Sequence, residues 1–187
     1  MNGQVVEHLE RWLGTAKETF TKDEHGRPLR VPIAAVHDAP HVGAITLVTM
    51  GLSDYVLKWD TKQVRQELLF AFWSRFGWRN APAMLDHFAG VAIDRGRGFL
   101  RGEWDSFDGP VIDGTQLTGV TFEPPLGYMK ALTQFTGVYA EPVVMISIIP
   151  LTSEEAEYRT THGWQDLEDR LENPNVDLLD LDRASAV

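Results

Sequence analysis

Two histidines and an aspartate lie close together in the segment His37-Asp38-Ala39-Pro40-His41, and these are residue types that bind zinc. Zinc needs three or four well-placed ligands, and two ligands four residues apart share one face only on a helix. Pro40 disfavours a helix through this segment because proline has no backbone N–H to donate. We therefore expect a surface loop here and no metal site.

A serine nucleophile of a hydrolase typically lies in a G-x-S-x-G turn. Gly51-Leu52-Ser53-Asp54 has one glycine and lacks the second, so we interpret it as a turn that follows a strand. Arg95-Gly96-Arg97-Gly98 lacks the G-x-x-x-x-G-K-[ST] frame of a phosphate-binding loop. The chain has no cysteine, which excludes thiol nucleophiles and disulfides. We identify no catalytic residue and no cofactor motif.

Carboxylates are abundant, and a pair of them at a suitable separation is what a glycosidase uses. The middle of the chain supplies Glu67, Asp86, Asp94, Glu103, Asp105, Asp108, Asp113 and Glu123. A sequence does not give distances in space, and chance pairs are certain in a chain with 27 acidic residues. A hydrolase that uses a carboxylate pair is therefore the alternative to a protein without catalytic activity.

The net charge of the 187-residue chain is −10, and residues 150–187 hold 10 acidic residues against 3 basic ones. Such a protein repels phosphates, so a nucleic-acid partner is disfavoured. An acidic surface attracts a basic protein partner, although it also simply serves solubility. The N-terminus lacks the features of a secretory signal, and no apolar stretch reaches the ~20 residues that span a bilayer. We expect a cytoplasmic protein with no membrane partner.

Apolar patterning predicts the elements that must position any site. Three segments are apolar on both alternating faces, which is typical of covered central strands: 42–50, 67–73 and 143–149. Further extended segments are predicted at 31–36 and 117–122. Helices are predicted at 4–20, from Asn80 through Ala92, around Leu132 and Phe135, after a Thr152–Glu155 capping box, and at 164–171 beyond Gly163.

Strands and helices follow one another without regular alternation, so we expect an α+β fold. Its centre is predicted to be a mixed, mostly antiparallel sheet flanked by helices in a single domain of residues 1–187. Residues 1–41 would form an N-terminal helix and extension, and residues 173–187 an acidic C-terminal tail.

The order of several segments is more specific than any one of them. The ordered segments are Val48–Tyr55, Gln66–Trp73, the helix near Leu85–Ala92, Gly102-Glu103, Leu117–Pro125, Val143–Leu171 and the ending DLLDLDRASAV. The sharpest are a T-x-G-[LM]-S turn at residues 49–53 and a strand–Pro–Thr–x–x–Glu–helix unit followed by Gly163 and Leu167. From about Val42 to Val187 the chain resembles the suppressor of fused domain family, in its compact bacterial form.

This resemblance implies an α+β fold, no catalysis and a protein partner. Animal members hold a transcription-factor segment, partly by strand pairing, and bacterial members are often immunity proteins of toxin systems. The animal proteins also carry a second domain that helps to clamp the partner, and 187 residues leave no room for it. By resemblance to a Gly-acid pair near the partner groove of the animal proteins, Gly102 and Glu103 are candidate partner-binding residues, and the nearby Asp105 is a third candidate. The alternatives are that Gly102-Glu103 is an ordinary exposed turn, or that the contact face is the acidic C-terminal region around Glu168 and Asp169.

Overall fold

The computed structural model describes residues 2–125, 127–128 and 130–187. In these residues the chain forms four α-helices: α1 (Gly3–Leu13), α2 (Ala81–Arg95), α3 (Ser153–His162) and α4 (Trp164–Leu171). It also forms nine strands: β1 (Glu18–Lys22), β2 (Pro28–His37), β3 (Ala44–Thr49), β4 (Leu57–Trp59), β5 (Lys62–Trp73), β6 (Trp104–Ser106), β7 (Leu117–Glu123), β8 (Gln134–Phe135) and β9 (Val143–Thr152). Short 3-10 helices lie at Leu52–Asp54, Ser74–Phe76 and Lys130–Leu132.

One sheet organises the molecule, in the order β1-β2-β3-β5-β9-β7-β6, with β4 added to β5 and β8 added to β9. Strands β5 and β9 run parallel at its centre, and the other neighbouring pairs are antiparallel. The predicted α+β class, with a mixed and mostly antiparallel sheet in a single domain, is confirmed. Strands β1 and β6 end the sheet on opposite sides.

Both faces of the sheet are covered, which is why its central strands are apolar throughout. On β9, Val144 and Ile146 pack into the cluster that holds α2, whereas Val143 and Met145 pack into the cluster that holds α1. At the end of β9, Leu151 packs against α4. The residues that the sequence predicts to be buried in these strands are at most 3% exposed: Leu47, Leu69, Phe70, Met145, Ile146 and Ile148.

The predicted helix at residues 4–20 is wrong in its second half. Helix α1 ends at Leu13, where Gly14 adopts φ 100° and donates its N–H to the carbonyl of Glu10. Phe20 then lies in β1 opposite Ile33 of β2. Apolar spacing continues past residue 13, but the strand pairing with β2 satisfies the backbone of residues 18–22 instead. The helix expected at Phe135 is likewise wrong, because that residue lies in β8.

The capping box before α3 is confirmed, and it anchors the end of the chain as well. Thr152 accepts from the N–H of Glu155 at 3.2 Å, and Glu155 accepts from the N–H of Thr152 at 2.9 Å. Both guanidinium Nη atoms of Arg183 also donate to the Glu155 carboxylate. The side chains of this pair are buried, at 5% exposed for Arg183 and 0% for Glu155.

Candidate functional site

Strand β6 forms one edge of the sheet. Some of its backbone N–H and carbonyl groups bond to β7, and the others point outward. Toward β7, the carbonyl of Glu103 accepts from Phe122 N at 3.0 Å, and Phe107 N donates to Thr118 at 2.8 Å. Antiparallel pairing alternates between residues that bond the neighbouring strand and residues that bond outward. Since Phe107 bonds toward β7, the residue before it, Ser106, has its backbone N–H and carbonyl pointing away from the sheet.

The outward N–H of Ser106 is bonded to its own neighbour, since it donates to Oδ1 of Asp105 at 3.0 Å. Both residues are exposed. An edge strand with free N–H groups is a template for another chain, and a charged side chain on the edge is a common protection. The Asp105 carboxylate therefore occupies the outward N–H of Ser106 at this edge.

Gly102, the first of the three candidate residues, builds the turn before β6 and is itself buried. Its φ is 75°, and a Cβ atom there would lie 2.8 Å from Cδ1 of Trp164. Its N–H donates to Oε1 of Glu123 at 2.9 Å, and its carbonyl accepts from Arg159 at 2.6 Å. Only glycine fits this conformation and this contact, so Gly102 positions the edge strand and offers a partner no side chain.

Glu103, the second candidate, is engaged within the chain. Its carboxylate accepts from the N–H of Leu100 at 2.6 Å and pairs with Nη2 of Arg97 at 2.5 Å. It is half-buried. Of the three candidates, Asp105 is the one whose side chain is exposed at the edge.

Two further carboxylates meet beside this turn. Arg101 bonds both Glu123, at 3.3 Å, and Glu168 of α4. The side chains of the two glutamates are 3% and 8% exposed. Burial raises the pKa of Glu123 to about 7, and the charge of Glu168 acts in the same direction. The arrangement joins α4 to β7, so Glu168 serves a structural contact and is not a freely exposed charge.

A buried carboxylate explains the T-x-G-[LM]-S turn. Glu67 of β5 accepts from the hydroxyl of Thr49 and, at 3.0 Å each, from the N–H groups of Gly51 and Ser53. Burial raises the pKa of Glu67 to about 7, although these donors favour its ionised form. The turn motif therefore supplies hydrogen-bond donors to the buried carboxylate of Glu67. In the sequence, Glu67 is one of many acidic residues, and its local pattern does not indicate this role.

The histidine-rich segment forms the predicted loop. His37 ends β2 and lies 3.3 Å from Glu18, and Asp38 accepts from the N–H of Gly43 at 2.9 Å. Across residues 2–125, 127–128 and 130–187 there is no group of three or more His, Asp or Glu side chains that is arranged to hold a metal ion.

Known proteins share this fold. The sequence profile of the suppressor of fused protein (SUFU) matches residues 27–184. The chain therefore belongs to the suppressor of fused family. A search of curated protein sequences gave no match. Within the described residues, no helix combines the length and the apolar character that crossing a bilayer requires.

Solved structures share the whole fold at low sequence identity. A SUFU homolog from Neisseria gonorrhoeae FA 1090 matches with a TM-score of 0.75 and 18% identity, over 100% of this chain and 96% of that one. A structure of the Sufu-Fu complex matches with a TM-score of 0.72 and 13% identity, over 98% and 91%. Drosophila Suppressor of Fused matches with a TM-score of 0.70 and 13% identity, over 97% of this chain and 50% of that one.

Proposed function

We propose that this chain is a non-catalytic protein-binding module, and that strand β6 receives an extended segment of a basic partner. One observation carries the proposal: β6 ends the sheet, and its outward Ser106 N–H donates to the exposed carboxylate of Asp105. An extended peptide that adds to a sheet edge gains main-chain hydrogen bonds there. Membership of the suppressor of fused family supports the same reading, since one relative of this fold was solved as a complex of Sufu with Fu.

Opening of the edge follows from the position of Asp105. A lysine or arginine of the partner pairs with the Asp105 carboxylate, because charge-assisted bonds are stronger than neutral ones. The Ser106 N–H is then released and donates to a carbonyl of the incoming strand. Charge on the partner thus controls access to the edge, and the net charge of −10 favours the approach of a basic protein.

The first experiment measures how strongly this charge attracts the partner. Peptides would be selected from a phage-displayed library of random seven-residue sequences against the intact protein. We expect Asp105→Lys to slow the association of the selected peptides by about tenfold, because rim charges act mainly on the association rate. Raising the salt concentration from 0.05 to 0.5 M should slow association with the wild type more than association with the variant.

Asp169→Lys is the matched control, because it makes the same charge change at an exposed position on α4. It also tests the acidic C-terminal region as the contact face. Slower association with Asp169→Lys, together with unchanged association with Asp105→Lys, would move the binding face from β6 to α4.

An immunity role is the finer form of this proposal, with the basic partner being a toxin. The acidic charge and the resemblance to bacterial family members support it. Co-expression would test it: this chain should restore the growth of cells that carry the cognate toxin, and Asp105→Lys should not.

A further inference from the structure

A hollow of about 390 Å³ opens between α2 and the segment that follows β6. Its apolar lining comes from Met84 and Phe88 of α2 and from Phe107, Pro110 and Val111 of the segment. Met84 and Phe88 are core residues, at 6% and 3% exposed, whereas Pro110 is exposed at the rim. The hollow is therefore an apolar opening into the edge of the main core.

The wall of the hollow is fixed by hydrogen bonds. Asn80 stands at the N-cap position of α2, yet its side chain does not cap the helix. Its Nδ2 donates to the carbonyl of Val111 at 3.1 Å, and its Oδ1 accepts from Asp113 N at 2.9 Å. Arg79 donates to the carbonyl of Asp113 at 2.9 Å. A preformed pocket costs little ordering entropy when a ligand enters it.

The hollow continues toward the β6 edge. A smaller space of about 40 Å³ shares Phe88 and His87 with it and is also lined by Glu103, Trp104 and Asp105. Asp105 lies opposite Val120 of β7, which belongs to the core cluster that holds α2, so its side chain faces the α2 side of the sheet. Successive side chains of a strand point to opposite faces, and next-but-one side chains lie about 7 Å apart on one face. A strand added to β6 thus presents every second side chain to the groove that these two neighbouring spaces form.

The charges along the groove orient its occupant. Asp105 lies on the β6 side of the smaller space, and Arg95 lies on its α2 side. Glu24 stands at the rim of the larger hollow and is exposed. A basic residue of the occupant therefore pairs with Asp105, and the apolar hollow takes the next bulky side chain on the same face.

We infer that the hollow between α2 and residues 107–111 is a side-chain pocket for the same extended segment that pairs with β6. The partner segment then carries a basic residue and, two or four residues away, a bulky aliphatic or aromatic residue. This inference rests on the proposed function, because the hollow is reached by a strand that is already docked on the edge. The bulky residue that enters the hollow distinguishes one basic partner segment from another.

The test fills the pocket and leaves the edge intact. Ala83 lines the hollow and is half-buried, so Ala83→Trp places a large ring in the space. Ala131→Trp makes the same change at an exposed position of the 3-10 helix that contacts α1 on the opposite face. Pro110→Lys, at an exposed position of the rim, is a second variant with little risk to folding.

Peptides selected as above from the random seven-residue library on wild-type protein serve as the probe. We expect Ala83→Trp and Pro110→Lys to weaken their binding by about tenfold or more, since burial of a bulky side chain contributes that much. Ala131→Trp should bind like the wild type. The selected sequences should be enriched in a bulky apolar residue at the stated spacing from Lys or Arg.

Each remaining outcome contradicts the inference in a distinguishable way. Peptides that are weakened by Asp105→Lys but not by Ala83→Trp or Pro110→Lys would overturn the pocket and retain the edge. Failure to select any peptide, or binding that no variant affects, would overturn both. A wild-type dimer that Ala83→Trp converts to a monomer in light scattering would make a second copy of this chain the occupant, and would overturn the peptide pocket.

Discussion

Single residues in this protein perform tasks that their neighbours in sequence do not reveal. Glu67 is fully buried and holds the turn at residues 51–53 through two backbone N–H groups. Gly102 meets the indole of Trp164 so closely that any side chain is excluded. Asp105 lies exposed at a strand edge, where its carboxylate accepts from the N–H of Ser106. It is the central residue of the proposed binding edge.

Glu67 makes the stability of the fold depend on pH in a predictable direction. Burial raises its pKa from an ordinary value of 4.5 to about 7 in the folded chain. Between these two values the folded protein holds a proton that the unfolded chain has released, so a rise in pH favours unfolding. The contribution is present at pH 5 and is lost as the pH rises through 7.

We expect Glu67→Gln to remove this dependence. At pH 5 the variant should be close to the wild type in stability, because the folded wild type is then protonated and a neutral carboxyl, like an amide, accepts through one oxygen and donates through its other end. Between pH 5 and pH 8 the wild type should lose about 2 kcal/mol of stability relative to the variant, since glutamine does not titrate. Urea unfolding at both pH values measures it. Glu123 and His8, whose pKa values are also shifted by burial, are present in both proteins and cancel. A wild type that gains stability relative to Glu67→Gln as the pH rises would contradict the assignment.

At the scale of elements, the last residues of the chain are a structural part of the fold. Trp73 at the end of β5 donates its N–H to Leu179 at 3.0 Å and its indole N–H to Asp177 at 2.7 Å. Leu181 is 2% exposed in the main core. Arg183 then joins the capping box of α3. Residues 173–187 are acidic, but they also pack against the sheet and α3.

Arg183→Ala should therefore destabilise the protein strongly. Its loss leaves Glu155 buried without an opposite charge, and breaking a buried ion pair in this way costs about 3–5 kcal/mol. Arg27→Ala is the matched control, because Arg27 pairs with Asp23 through a side chain that is 71% exposed. Thermal unfolding should give a large fall in Tm for Arg183→Ala and little change for Arg27→Ala. Equal shifts would show that the C-terminal segment is not anchored through this pair.

How far these elements can be predicted from sequence depends on whether their signals are local. The capping box needs only Thr152 and Glu155, three residues apart, and both the box and its helix were predicted. The end of α1 was missed, although Gly14 gave a local sign, because apolar spacing continued to Phe20. Partners far apart in sequence were beyond reach: Glu155 with Arg183, Glu67 with Gly51, and Gly102 with Trp164.

At the scale of the whole molecule, the two ends of the sheet differ in their surroundings. Strand β1 is five residues long, while β6 has three and borders a groove against α2. The fold class followed from strands and helices that succeed one another without regular alternation. Segments that are apolar on both faces indicated that the sheet is covered. The order of strands, and with it the position of β6 at an edge, depends on pairing across the molecule, which no local pattern expresses.

The most direct test of binding at the β6 edge is the affinity of Ser106→Pro for the peptides selected on the wild-type protein. Ser106 is exposed and its N–H faces away from β7, so proline removes the bond to the partner and spares the sheet, as prolines on edge strands do. Ser106→Ala, which keeps the N–H, is the control. By titration calorimetry we expect Ser106→Ala to bind like the wild type and Ser106→Pro to lose about tenfold or more in affinity, since a missing hydrogen bond and a blocked strand both weaken the docked state. Equal affinities for the two folded variants would contradict strand pairing at β6.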